Sequence, residues 1–205
     1  MDIDVESPSP SDLLRSTLAT SPDPRAARTK ARVLTALAAM EHEGVPLTVS
    51  SLVRASGVSR SVFYTHWSGI DELAASILVA TFERIGESDI SERSSGRATS
   101  AETARHSLTL LIEHVGAHRQ LYRALLAAPM NAATRQTVVD SFVSTTARVL
   151  PWTPGAERPT DTTAAATFVS AGMFALLAAW LRGELDLDAA GVVDTLIELI
   201  PAWMR

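Results

Sequence analysis

The chain has 205 residues, 46% of them hydrophobic, no cysteine and a formal net charge of −5. It can bury the core of one large or two small domains, and the lack of cysteine excludes disulfides, thiolate metal sites and thiol redox sensing. Charge is unevenly spread: −4 over residues 1–23, +4 over 24–68 (Arg25, Arg28, Lys30, Arg32, Arg54 and Arg60 against Glu41 and Glu43) and −5 over 69–205. A locally basic module on an acidic body is what binding to a polyanion requires, because the charge term acts only across the contact face.

Residues 1–23 repeat Ser-Pro and show little apolar periodicity, the composition of a disordered or loosely ordered tail. Their acidic start is unlike a signal peptide, so a cytoplasmic protein is expected. Asp23-Pro24 reads as an N-cap followed by proline at the first helical position. The helix that follows runs to about Glu43, with Val33, Leu34, Leu37, Ala38 and Met40 on one side, and Gly44 ends it.

Leu47–Trp67, LTVSSLVRASGVSRSVFYTHW, reads as two short helices around a tight turn. Thr48 caps the first, with Leu47 and Leu52 spaced as a hydrophobic staple; Ser59 caps the second, with Val58 and Phe63 likewise. Gly57 supplies the turn at low cost in positive φ. Two capped helices about one glycine have the helix-turn-helix form, whose second helix enters the DNA major groove. Arg60, Ser61 and Val62 then occupy the first turn of the recognition helix, where a guanidinium reads guanine, a hydroxyl pairs with several bases and an apolar group meets a thymine methyl. Thr48, Ser50, Ser59, Tyr64 and His66 are the candidate phosphate contacts. Phe63 and Trp67 read as core.

Ser68 and Asp71 have S-x-x-D spacing at the start of a fourth helix, about Gly69–Glu87, with Ile70, Leu73, Ala74, Ile77, Leu78 and Ile85 at helical spacing. Residues 87–100 form a polar break, and a domain boundary falls near their start. Thr99 and Glu102 have capping-box spacing and open a helix to about Ala117; a shorter one spans about His118–Ala128, ended by Pro129, and a third about Asn131–Leu150. Thr162–Arg182 and Asp188–Met204 are the last two, separated by Gly183. With no convincing strand or repeat, the chain is predicted all-α: tail (1–23), DNA-binding domain with connecting helix (24–87), and helical effector-binding and dimerisation domain (88–205).

Ala164–Leu181 carries no charge, near the lower length limit for a membrane span. It is Ala-rich and includes Thr167, Ser170 and Gly172, so a helix buried on all sides in a soluble body or at a subunit interface is expected, with no membrane. Ala171, Gly172, Ala175, Ala178 and Ala179 permit close packing there and are the candidate dimer contacts. Tyr122, Met130, Phe142, Phe168, Met173, Phe174 and Trp180 are the large side chains available to an effector pocket, which would suit an apolar or aromatic ligand. His114 and His118 are four apart, as helical metal ligands are, but Gly116 intervenes and no third ligand stands at fixed spacing, so neither metal nor cofactor is expected. Phosphate-binding glycine loops, G-x-S-x-G, H-E-x-x-H and paired carboxylates in an apolar run are absent, so no enzyme is expected.

Residues 25–87 resemble the DNA-binding domain of the TetR family of bacterial transcriptional regulators. The resemblance rests on ARVLTALAAMEHEG, then TVSSLVRASGVS, VFYTHW and the following DEL. The later HRQLYRALL and FALLAAWLRG segments are similar to those of many members and identify no ligand class. The resemblance implies a homodimeric repressor or activator on a palindromic double-stranded operator, its last two long helices forming a four-helix bundle with the partner. A small-molecule effector in the body would move the fourth helix and change the spacing of the two reading heads. It also places Thr48, Ser50, Tyr64 and His66 at phosphates and Arg60 and Ser61 at bases. Ile70 stands where the family commonly has lysine, leaving the helix N-terminus itself for that phosphate. Two alternatives remain: a ligand-binding or interaction protein with a degenerate helix-turn-helix, and an all-α enzyme using the C-terminal cavity.

Overall fold

A computed structural model describes residues 24–126, 132–152 and 159–204. The tail, Asp23, Pro129 and Met130 lie outside the described residues. Within them the chain forms α1 (Pro24–His42), α2 (Val49–Ser56), α3 (Arg60–His66), α4 (Ile70–Ser95), α5 (Ser100–Ala117), α6 (Arg119–Leu126), α7 (Ala132–Val149), α8 (Thr162–Arg182) and α9 (Ala189–Leu199). Short 3-10 turns cover Leu150–Trp152 and Ala202–Met204. There is no strand among the described residues, and the protein is all-α.

Contacts divide the chain after Trp67 into two compact units. The first holds α1–α3. Val33, Leu34, Leu37 and Met40 of α1 and Leu52, Val58, Phe63 and Trp67 are all buried, so the apolar positions read from the sequence do form its core. In the second unit α4 is central and packs on α5, α6 and α7; α8 packs on α6 and α7, and α9 on α5. Phe82 of α4 stacks on Phe142 of α7 with ring centroids 3.9 Å apart. Gly86 permits that approach, since a Cβ there would lie 2.3 Å from Thr145 Cγ2.

Two expectations need correction. The polar stretch 87–100 is helical as far as Ser95, and α4 stops only at Gly96, which is left-handed at φ 64°. The compositional boundary at residue 87 therefore falls inside a helix: Asp89 turns inward and is buried, which sequence polarity alone does not reveal. α9 ends at Leu199, because Ile200 precedes Pro201 and is extended. α8 is long and apolar enough to cross a membrane by length and composition, and the single chain buries 44% of its most apolar window. Ala166, Val169, Met173, Leu177 and Leu181 face inward, whereas Thr167, Phe168, Ala171, Gly172 and Ala175 are exposed on the opposite side.

Candidate nucleic-acid interface

The helix-turn-helix is assembled by short-range bonds. Thr48 is extended (φ −136°, ψ 159°), and its side chain accepts from Ser51 N at 3.0 Å. Ser51 Oγ in turn accepts from Thr48 N at 3.0 Å, completing a capping box in which serine takes the usual Glu/Gln place. α2 ends at Gly57, left-handed at φ 61°, ψ 19°. Ser59 then caps α3, its Oγ accepting from Val62 N at 3.3 Å. Phe63 is fully buried, with its ring centroid 5.3 Å from that of Trp67, and this pair anchors the inner side of α3.

The outer side of α3 is the candidate reading surface. Arg60, Ser61, Val62 and Tyr64 are all exposed, as are Thr48, Ser50 and Ser59; His66 is half-buried at the helix end. Val62 and Tyr64 are 40% and 51% exposed. Arg60 Nη2 donates to Ser50 Oγ, so a base-reading candidate and a phosphate-contacting one are linked across the turn. Sequence spacing gave no sign of that bond. Nor did it single out Arg32: its Nη2 donates to the Gly57 carbonyl at 2.9 Å, tying α1 to the turn. Part of the module's basic charge is therefore structural.

The start of α4 differs from expectation. Gly69, not Ser68, is its N-cap and offers no side-chain bond; Ser68 N donates to Glu72 Oε2 at 2.6 Å. Hydrogen bonding from Ser68 holds the Glu72 carboxyl below the usual carboxylate range. With Asp71 and Glu72 in its first turn, this N-terminus already has its negative charge, which opposes a phosphate there.

In the second unit a cavity of about 90 Å³ lies between α4, α5, α7 and α8, lined by Phe82, Leu111, Val149, Val169 and Met173 among others. Of the described side chains expected at a pocket, Met173 alone is among those lining this cavity. Phe142 lies behind Phe82 and packs edge-on against Phe174, 6.3 Å between centroids. Tyr122 is buried with its OH 2.7 Å from His114 Nε2. Trp180 is a clamp: Nε1 donates to the Leu187 carbonyl at 2.9 Å, and the Arg119 guanidinium lies 4.9 Å from its ring centroid. Phe168 is 76% exposed on the outer side of α8 and does not line this cavity. Of the dimer candidates, Ala171, Gly172 and Ala175 share that outer side, Ala179 is half-buried and Ala178 belongs to the core. α5 continues through Gly116, and the rings of His114 and His118 stand 4.8 Å apart. No group of three metal-ligating side chains occurs among the described residues.

No protein-family model and no curated protein matches the chain. Solved structures do. A protein assigned to the TetR-family transcriptional regulators, from Syntrophomonas wolfei, superposes with a TM-score of 0.55 at 14% identity, covering 85% of this chain and 93% of its own. The fatty acid degradation regulator of Bacillus halodurans gives 0.53 at 14% identity, covering 83% and 96%. A protein from Rhodococcus sp., likewise assigned to the TetR family, gives 0.50 at 19% identity, covering 87% and 99%. The chain has the all-α fold of the TetR-family transcriptional regulators. Identities this low establish the fold alone.

Proposed function

We propose that the protein is a ligand-responsive transcriptional regulator, in the repressing sense, which binds a palindromic double-stranded operator as a homodimer. The observation that carries this reading is the outer side of α3. Arg60, Ser61, Val62 and Tyr64 are all exposed on a helix held by Phe63 and Trp67, which is how a recognition helix presents its residues to a major groove. Thr48, Ser50, Ser59 and His66 flank them as phosphate contacts. The reading head is α1–α3, and α4 connects it to the effector and dimer body formed by the second unit. In the dimer, Phe168, Ala171, Gly172 and Ala175 meet the same side of the partner's α8, since an isologous contact suits a self-complementary apolar stripe. The effector acts on α4, which lines the cavity and follows α3 after only Trp67, Ser68 and Gly69. A small molecule that shifts α4 then alters the spacing of the two heads and releases the operator.

The test is fluorescence anisotropy of duplex DNA from the region upstream of its own gene, titrated with the protein across a salt series. Selective binding that weakens steeply with salt is the expected result. Equal binding to random duplex, or none, favours the second reading, a ligand-binding protein with a degenerate helix-turn-helix. Asp71, Glu72 and Ile70 at the start of α4 are what support that alternative.

A further inference from the structure

The side chains around the cavity of the second unit differ in exposure, and the difference locates its mouth. Ser107 and Leu108 of α5, Ile200 after α9 and Met204 of the last 3-10 turn are half-buried. Ile85, Leu111, Val149 and Val169, which line the same space, are buried. The cavity therefore comes nearest to water beside the C-terminal turn. Its polar side chains are engaged with one another. Asp89 Oδ1 accepts from Arg93 Nε at 2.5 Å, and Oδ2 accepts from Ser107 Oγ at 2.8 Å. The Arg93 side chain is 4% exposed and its Nη1 is enclosed by protein, so it presents no donor to an occupant. The Thr146 and Ser170 hydroxyls share a bond of 3.1 Å, and Thr145 turns its Cγ2 towards Gly86. What faces the space is overwhelmingly hydrocarbon. Apolar cavities of this kind stay dry and accept apolar guests, because an unfilled one leaves its lining without dispersion contacts on one side.

We propose that the effector is an amphiphile and that this cavity takes the end of its alkyl tail, leaving the head group in water at the mouth. Polarity and size decide the class together. A hydroxyl, amine or carboxylate carried inside would lose its water and find the polar side chains already bonded to each other. A methylene or methyl group loses nothing on entry and gains from leaving water. The cavity measures about 90 Å³. An apolar cavity that holds one benzene has about 150 Å³, so an aromatic ring is too large for this one and a chain end is not. At about 30 Å³ for a group of water size, there is room for roughly three methylenes, and the head of a six-carbon chain stays outside. Phe82 and Ile85 of α4 line the space, so a tail that fills it presses on the helix that follows α3. The inference rests on the effector part of the proposed function and is independent of its DNA part.

The test uses four soluble six-carbon probes on the full chain: hexan-1-ol, hexanoate, hexylammonium and hexane-1,6-diol. Binding at millimolar concentration is followed by carbon–proton correlation spectra of the methyl groups, which report Ile85, Leu111, Val149, Val169 and Met173 separately. The three probes with one polar end are expected to bind within about threefold of one another, because their heads remain in screening solvent. Their shifts should concentrate on those lining methyl groups. The diol has to take a hydroxyl inside, and is expected to bind at least about fivefold more weakly than hexan-1-ol. This comparison needs no variant. The double substitution Ala104→Val/Val169→Leu adds carbon atoms to the lining, and is expected to weaken hexan-1-ol at least about fivefold while the spectrum keeps its native dispersion. A charged probe that departs further from hexan-1-ol than stated, equal binding of hexan-1-ol and the diol, or shifts spread over exposed methyl groups would overturn the proposal. So would binding that a folded filled variant retains in full, or no binding of any probe. Anisotropy with operator DNA on the same samples separates the two readings. Tail binding without DNA binding would sink the regulator and leave the site, and DNA binding without any probe bound would do the reverse.

Discussion

Arg60 and Tyr64 are both exposed on α3, and the proposed function gives them different work. Arg60 stands at the first helical position, where a forked donor reaches guanine, and Ser50 Oγ, which accepts from its Nη2, limits its freedom. Arg60→Ala is expected to cost about 1–3 kcal/mol at one base pair of each half-site and to relax specificity there. Anisotropy over single-base operator variants checks this, and an equal loss on random duplex would contradict it. Tyr64→Phe removes only a hydroxyl from the exposed end of the ring. The expected result is a similar weakening on every duplex and a shallower salt dependence; a loss confined to one operator position would move Tyr64 to base reading. Arg32 adds a structural contact to its charge, since its guanidinium is bonded to the Gly57 carbonyl.

At the scale of the element, turn and cap chemistry decides where helices stop and start. Gly57 is left-handed, and a Cβ there would lie 2.6 Å from Arg32 Nη2. Gly57→Ala should therefore destabilise the first unit by roughly 1–2 kcal/mol from backbone strain alone, with loss of the Arg32 bond added, read as a lower urea midpoint. Thr99 and Glu102 were legible as a capping box and form one, the Glu102 carboxylate accepting from Thr99 N and Oγ1 at 2.8 Å each. Those bonds hold the Glu102 carboxyl below its ordinary value of 4.5. Its contribution is accordingly present above that value and is lost as pH falls through the lower, folded-state one. Urea midpoints taken from about pH 5 to about pH 3 should fall less for Glu102→Gln than for the unaltered protein, and identical slopes would remove the cap from the account. α4 is the opposite case. Its polar second half reads as a break because Asp89, Arg93 and Ser95 resemble loop composition, whereas Asp89 faces Arg93 and Ser107 inside the unit.

At the scale of the whole molecule, the outer side of α8 carries the prediction. Phe168 is 76% exposed, and Ala171, Gly172 and Ala175 are exposed beside it on the same side of the helix. Burying this stripe against its own copy removes apolar area from water and lets small residues bring the helices close. Ala175→Glu is expected to convert a dimer to a monomer in sedimentation velocity while leaving the helical circular dichroism intact, because no core contact is touched. An unchanged dimer mass would place the interface elsewhere. The uneven charge belongs to this scale as well: residues 24–68 carry +4 against −5 over 69–205, so the proposed operator contact falls on the basic stretch.

Local rules sufficed for much of this protein. Caps at Thr48, Ser59, Thr99 and Asp188, the left-handed turns at Gly57 and Gly183, and the apolar positions of α1 to α3 are short-range choices made within a few residues. The sequence by itself therefore determined an all-α chain with a helix-turn-helix near its N-terminus and the exposed residues of α3. The tertiary structure alone decided which aromatic side chains meet a cavity, and that a polar stretch is a helix with a buried ion pair. It also decided that α8 has one covered and one open side. Each depends on partners distant in sequence: Phe82 with Phe142, Trp180 with Arg119, Asp89 with Ser107. A side chain's type limits what it can touch, but the surrounding elements determine what it does touch.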